Sequence, residues 1–185
     1  MTRYNNSRLQ RDYIFIMYSK EAYLFMNFVK YTEPDFEHYY ALVSNEDVMR
    51  QITERAIPEA EARTQFAAML DYNLRSLCGH YRVTTQDDAG VAYAKLIQDE
   101  DNPSRAEMGY MILPQYWGKG QGTAIASRLI IQAQAAGIEV LYAVIDPANA
   151  ASRQILLRQN FESTWTGDYD GLPGEILELS LHRER

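Results

Sequence analysis

MGYMILPQYWGKGQGTAIASRLIIQAQAAGIEVLYAVIDPANAASRQILLRQNF, residues 108–161, decides the fold. It reads as a strand, a glycine-rich loop, a helix, a second strand and a short second helix. Glu107–Leu113 is the predicted first strand, ending at Pro114, which cannot donate to a ladder. The helix Thr123–Ala136 stops at Gly137, a residue suited to the left-handed position after a helix. Ile138–Ile145 is an apolar run apart from Glu139, as expected of a central strand covered on both faces. Asn149–Gln159 completes the segment as a short helix. Two strands joined through a helix run parallel, and such crossovers are almost always right-handed. Between strand and helix, Trp117-Gly118-Lys119-Gly120-Gln121-Gly122 places three glycines at alternate positions. That geometry turns backbone N–H groups toward a guest, and the natural guest is a phosphate.

Upstream, Leu24–Lys30 is predicted as a strand. Thr32, Glu33 and Pro34 open a helix to about Val43. Ser44 is the expected cap of a further short helix, with Asp47 as its capping-box partner. Pro58 opens a helix to about Leu74, whose Ala62, Phe66, Met69 and Leu70 recur at helical spacing. His80–Thr85 and Val91–Ile97 flank Asp87-Asp88-Ala89-Gly90 and read as a hairpin. Downstream, Phe161–Trp165 and Ile176–Leu181 are the last strands, with a polar turn around Gly171-Leu172-Pro173-Gly174. The pattern is α+β, a mostly antiparallel sheet of about seven strands with one parallel step. Residues 1–22 have no clear period and are expected as an arm or an added edge strand. Residues 23–185 form a single expected domain.

Composition narrows the function. A chain of 185 residues can bury roughly two thirds of its extended surface in one domain. The net charge is -7 and the pI about 5.0, which argues against general nucleic-acid binding and is compatible with a cationic substrate such as an amine. Cys78 stands alone, so no internal disulfide forms. His38, His80 and His182 are scattered, and no Cys/His cluster has metal spacing, so no metal site is expected. Ile14–Tyr18 is too short to span a bilayer and no cleavage site follows, so a cytoplasmic protein without a membrane role is expected.

The loop fits neither common nucleotide motif. A Walker loop needs Gly-Lys-Ser/Thr, but Gly120 follows Lys119. A dinucleotide fingerprint needs Gly-x-Gly-x-x-Gly, and here the glycines fall at 118, 120 and 122. A plain strand-to-helix turn is the other reading of the same residues.

Gly120-Gln121-Gly122 at a strand-to-helix junction, with Tyr116-Trp117-Gly118-Lys119 before it and Asn149-Ala150-Ala151-Ser152 and Asn160-Phe161 after it, resembles the GNAT superfamily of N-acetyltransferases. The form of these motifs, with Ser44–Met49, is similar to that of the branch that includes ribosomal-protein alanine N-acetyltransferases. Trp117 departs from the Arg/Gln usual at its position. The resemblance implies a GNAT-like three-layer fold, with helices flanking a mixed sheet whose parallel pair splays apart. It implies acetyl-CoA as acyl donor and transfer to a primary amine, on a small molecule or a protein N-terminus, through a tetrahedral intermediate. It implies cofactor contacts from Met111, Ile112 and Leu113, with Tyr110 beside them, from Trp117, Gly118, Lys119, Gly120, Gln121, Gly122 and Thr123, and from Asn149 and Ser152. It also implies a homodimer as a common assembly.

For catalysis, Glu107 is the candidate base, acting directly or through water, because an amine attacks only when neutral. Many members protonate the leaving thiolate with a Tyr where this chain has Leu156, so Ser152 is the candidate donor. Tyr110 and Tyr142 are further candidates. Tyr39, Tyr40 and Tyr72 are candidate acceptor walls through cation–π contact, or plain packing. The missing phenol at Leu156 keeps a second expectation open: a catalytically silent acyl-CoA-binding or regulatory module.

Overall fold

The computed structural model describes residues 26–85 and 89–181. The expected arm at 1–22, the start of the first strand at Leu24, the hairpin tip at 86–88 and His182 lie outside them. Seven strands form one sheet: β1 (Asn27–Lys30), β2 (Gly79–Thr84), β3 (Gly90–Gln98), β4 (Arg105–Ile112), β5 (Val140–Ile145), β6 (Glu162–Tyr169) and β7 (Leu172–Ser180). Their order is β1-β2-β3-β4-β5-β7-β6, and only β4 and β5 run parallel.

Five helices flank the sheet among the described residues: α1 (Phe36–Val43), α2 (Glu46–Met49), α3 (Glu59–Arg75), α4 (Gln121–Ala135) and α5 (Ala150–Arg158). A 3₁₀ turn, Glu33–Asp35, leads into α1, and Thr32 N–H donates to the Asp35 carboxylate at 2.9 Å. Ser44 is not the cap of α2. It still has helical angles at the end of α1, and its hydroxyl donates back to the Tyr40 carbonyl at 2.6 Å. Asn45 caps α2 instead, its side chain accepting from the N–H groups of Asp47 and Val48.

Two cores occupy opposite faces of the sheet. Ala106, Met108, Ile125, Leu129, Leu141, Leu156, Phe161 and Leu177 belong to the core under α4 and α5. Tyr31, Phe36, Tyr39, Leu42, Phe66, Met69 and Tyr93 belong to the one under α1–α3. This second core contains no residue of β5, β6 or β7. The expectation that Ile138–Ile145 is covered on both faces therefore fails on one side. Leu141 and Ala143 are buried, whereas Tyr142 and Val144 are only partly so, because α1–α3 cover the β1–β4 half alone.

The last hairpin also differs from expectation. β6 and β7 run on to Tyr169 and Leu172, and the turn is Asp170-Gly171, at φ 53° and 86°. Such two-residue turns match strand twist and need positive φ at both positions. Pro173 lies within β7, past the last rung with β5 at Glu175, where a missing N–H costs that pair nothing. Gly137 and Asn160 both take the left-handed conformation expected of helix ends, at φ 76° and 66°.

Candidate active site

The parallel pair is joined over three positions only: Arg105 with Val140, Ala106 with Leu141 and Glu107 with Tyr142. β4 continues to Ile112 and β5 to Ile145 without another rung, so the two strands part beyond Glu107. Leu113 N–H donates to the Val91 carbonyl at 3.1 Å, and Asp99 N–H donates to the Arg105 carbonyl at 2.9 Å. Odd-numbered residues of β4 therefore bond to β3, and even-numbered ones turn toward β5. In the open stretch that leaves the backbone of Tyr110 and the N–H of Ile112 facing the gap. The Ile112 carbonyl is occupied, accepting from the Trp117 indole at 2.7 Å. Met111 and Leu113 turn their amides to β3 and pack their side chains against the second core. A main-chain strip with free donors is a template for an extended ligand.

The glycine loop opens at the same end. Gly118 and Gly120 have φ of 70° and 78°, the left-handed region that favours glycine. A Cβ built on either would meet nothing within 4 Å, so both border open space. Gly120 is the N-cap of α4 and offers no side chain to its first turn, so the N–H groups of Gln121, Gly122 and Thr123 lack a side-chain cap. The positive end of a 15-residue helix thus faces an open cradle. Gly122 serves closeness instead: a Cβ there would lie 2.8 Å from Ile155 Cδ1 and 3.5 Å from Tyr110 Cε2. Lys119 is exposed, its ammonium 5.7 Å from the Tyr116 ring centroid. Together these residues fit a diphosphate followed by an extended arm: open glycines, uncapped amides, one cation, and then the strand gap.

α5 begins beside that gap. Asn149 caps it, its side chain accepting from Ser152 N–H at 3.1 Å, which puts the Ser152 hydroxyl in the first turn. Leu156 is buried in the core and brings no polar atom. The Tyr110 ring packs at the first turn of α4, against Gly122. Its hydroxyl is buried and has no hydrogen-bond partner among the described residues. Burial pushes the Tyr110 phenol pKa up.

Glu107 projects on the other face, the one shared with Met111 and Tyr142. Its Oε1 lies 2.6 Å from Lys95 Nζ, and both side chains are about a quarter exposed. Lys95 sits in β3 opposite Gly109, and a Cβ at Gly109 would come within 2.8 Å of Lys95 Cε. The glycine lets the lysine cross the strand to the carboxylate. Tyr142 donates to Asp99 at 2.8 Å and stacks under the Arg105 guanidinium at 4.4 Å. Arg105 in turn pairs with Asp99 and Glu178. Burial, then the Asp99 hydrogen bond, pushes the Tyr142 phenol well up. The pKa of Tyr169, at the tip of β6, is raised by burial and then by the charge of Glu107.

The structure assigns Tyr39, Tyr40 and Tyr72 to packing. Tyr39 is buried and donates to Gln65 at 2.8 Å, Tyr40 stacks on Phe36, and the Tyr72 hydroxyl accepts from Gln98 N–H. Lys95 and Tyr169 went unnoticed in the sequence. Only strand register, with Lys95 opposite a glycine two residues from Glu107, signals the first. No group of His, Cys, Asp or Glu among the described residues could hold a metal ion, and no helix of them is long and apolar enough to cross a membrane.

A seven-stranded mixed sheet with an open parallel pair and a glycine cradle at its mouth defines an acyl-transfer scaffold. The acetyltransferase (GNAT) domain family matches residues 26–162, and the chain belongs to that family. It is 29% identical over 137 residues to the uncharacterized N-acetyltransferase YoaA of Bacillus subtilis (strain 168), covering 71% of this chain and 76% of YoaA. Its fold is similar to the GNAT superfamily phosphinothricin acetyltransferase of Sinorhizobium meliloti, solved with acetyl-CoA (TM-score 0.68, 20% identity, 84% and 88% coverage). It is similar also to yncA of Salmonella typhimurium, solved with its cofactor acetyl-CoA (TM-score 0.67, 20% identity, 86% and 96% coverage).

Proposed function

We propose that this chain transfers an acetyl group from acetyl-CoA to a primary amine, on a protein N-terminus or a small molecule. One observation carries the reading: the β4–β5 ladder stops at Glu107 and Tyr142 while both strands run on, beside a helix whose first amides have no side-chain cap. The thioester supplies an activated acyl group. Everything else falls to the protein. The amides of residues 118–123 bind the diphosphate, helped by the helix dipole and by Lys119. Trp117, Gln121 and Thr123 border that cradle. Tyr110 and Ile112 offer main-chain groups to the arm, with Met111, Leu113 and Asn149 as its walls. An N–H of the open strip stabilises the carbonyl oxygen as it gains charge. Glu107 takes the amine proton, directly or through water, and Ser152 donates to the departing sulfur. We further propose that the chain belongs to the branch that includes the ribosomal-protein alanine type, whose motifs its sequence resembles.

Leu156 favours a second reading, since a buried leucine stands where many family members carry the donor phenol. On that reading the chain binds acyl-CoA without turnover. Calorimetric titration with CoA tests what the two share, and submicromolar to micromolar binding is expected. Thiol release from acetyl-CoA over peptides, polyamines, amino acids and aminoglycosides then separates them. No CoA binding overturns both; binding with no turnover on any acceptor overturns the first.

A further inference from the structure

Lys95 sets up the proposed reaction inside the chain itself. Its Nζ lies 2.6 Å from Glu107 Oε1, an amine against the carboxylate assigned to take an amine's proton. Strand register explains how it gets there. Lys95 stands opposite Gly109, and Glu107 stands opposite Ile97, so the lysine reaches the carboxylate on the diagonal. A Cβ at Gly109 would lie 2.8, 3.4 and 3.6 Å from Lys95 Cε, Cγ and Cδ, so the stem of the lysine lies over bare backbone of β4. Gly109 is two residues past the last rung to β5, in the stretch where the parallel pair has parted. The ammonium is thereby carried to the closed end of the gap. Both partners of the pair keep about a quarter of their side chains exposed, so the amine is not sealed off. On the acetyl-CoA reading, the arm starts at the glycine cradle, beyond Ile112, and follows β4 back toward Glu107. From Ile112 to Gly109 is about 10 Å of strand, at about 3.3 Å per residue. The acyl group rides the far end of that arm and arrives where the ladder closes, which is where Lys95 holds its amine.

We propose that Lys95 is a modification site: with no other amine present, the chain acetylates its own Lys95, within one molecule. The inference rests on the acetyl-CoA reading and extends it from an external acceptor to an internal one. The ammonium passes a proton along its hydrogen bond to Glu107 Oε1, and the neutral amine adds to the thioester carbonyl carbon. As the tetrahedral intermediate collapses, the C–S bond breaks and the nitrogen gives up a second proton to the departing sulfur. Glu107 returns the first proton to water. A C–N bond has replaced the C–S bond, and the products are acetyl-lysine, coenzyme A and one proton. Holding amine and carbonyl together makes the step unimolecular, an advantage that no other lysine of the chain shares. The acetyl group removes the charge of Lys95, so Glu107 loses its partner cation and the transfer occurs once per chain.

The test uses the full chain with acetyl-CoA and no added amine. Calorimetry first establishes whether wild type binds CoA. Intact-mass and peptide mass spectrometry then follow the acetyl group. A single acetyl group per chain is expected, on Lys95. It should appear there at least about tenfold faster than on Lys20 or Lys30, which meet acetyl-CoA only by collision. Saturating desulfo-CoA, which occupies the gap without an acyl group, should slow Lys95 about tenfold or more and leave Lys20 and Lys30 unchanged. Gly120→Glu, expected to lose CoA, should keep Lys95 unmodified. It should stay so when mixed with Lys95→Arg, which retains a cation beside Glu107 and offers no acylable amine. Acetylation of Lys95 in the Gly120→Glu chain of that mixture would mean transfer between molecules and overturns the proposal. If wild type is isolated with Lys95 already acetylated, Gly120→Glu from the same host decides: unmodified it supports self-acetylation, and modified alike it overturns it. The arms on wild type stand alone should a variant fail to fold. Lys95 left bare in a chain that binds CoA, modified no faster than Lys20 and Lys30, or unprotected by desulfo-CoA overturns the proposal and leaves the acetyl-CoA reading standing for external amines. Absence of CoA binding to wild type takes down both.

Discussion

Gly120→Ala separates the cost of a strained backbone from the cost of a blocked cradle, because the protein carries its own control. Gly120 and Gly137 have nearly the same φ, 78° and 76°, and a Cβ on either would meet nothing within 4 Å. They stand at opposite ends of α4. An alanine forced into the left-handed region costs roughly 1–2 kcal/mol, partly offset by the smaller entropy of the unfolded chain, so each variant should lose about 1 kcal/mol. For a domain of this size that is a fall in Tm of about 2–4 °C. The methyl at 120 does something further. It stands in the open space that the diphosphate would fill, and keeps the phosphates from the first amides of α4. Losing two hydrogen bonds to a charged group costs about 3 kcal/mol, on the order of a hundredfold in Kd. The assay is calorimetric titration of both variants with CoA, alongside thermal unfolding. Matched losses of Tm with a loss of affinity in Gly120→Ala alone are expected. Gly120→Glu should go further by adding a negative charge. Equal affinities for Gly120→Ala and Gly137→Ala would refute the assignment of the loop to phosphate binding.

Other perturbations address the rest of the molecule. Glu107→Gln should lower kcat by on the order of a hundredfold while the Kd for CoA stays within about twofold, as steady-state rates and calorimetry will read; unaltered kcat would reduce Glu107 to the partner of Lys95. Leu129→Ala, at a fully buried position under the sheet, should cost about 2–5 kcal/mol by denaturant unfolding, without changing the unfolding slope. His38 and His80 are held neutral down to about pH 4, chiefly by burial, and each bonds a tyrosine hydroxyl through Nδ1. Well above pH 7 they are neutral folded and unfolded and contribute no pH dependence. Between about pH 6.5 and pH 4 the unfolded chain takes up their protons and the folded chain does not, so stability falls as pH falls, by up to about 1.4 kcal/mol per unit for each. His80→Gln should flatten part of that slope in unfolding curves measured from pH 7 to pH 4.

The parts of the fold that a sequence can show are those set by local rules. The parallel step was legible because a strand, a helix closed by Gly137 and an apolar run leave few alternatives. The left-handed turns at Gly118 and Gly120 before α4 were legible too, since alternate glycines mark backbone that other residues rarely adopt. What local rules do not carry is which half of a face gets covered. Tyr142 reads as a core residue in an apolar run, yet it is half open because no helix lies over β5 on that side. The last hairpin was misplaced because β6 is exposed along its whole length, so its residues show no burial pattern to read. Ser44 and Asn45 are both good caps, and the choice depends on where α1 stops. Lys95 needed register: a lysine in a strand looks solvated until the residue opposite is known to be glycine.

Register also explains why rigidity and openness meet at one residue. Glu107 is paired on both sides, with Ile97 of β3 and Tyr142 of β5, and it is the last residue of β4 so held. Its backbone is fixed by two ladders, and Lys95 fixes its carboxylate from the side. Three residues on, Tyr110 has a partner strand on one side only, so its main chain is available to a ligand. A proton acceptor must hold its place to within a fraction of an ångström, whereas a thioester must be able to enter and leave. Had the ladder ended one position earlier, Glu107 would lie in the parted stretch and lose one of its two anchors. Had it continued to Tyr110, the gap proposed to receive the arm would close. On the proposed reading, the end of pairing at Glu107 satisfies both demands. Proline at 114 then keeps β4 from running on as a paired strand toward the glycine loop.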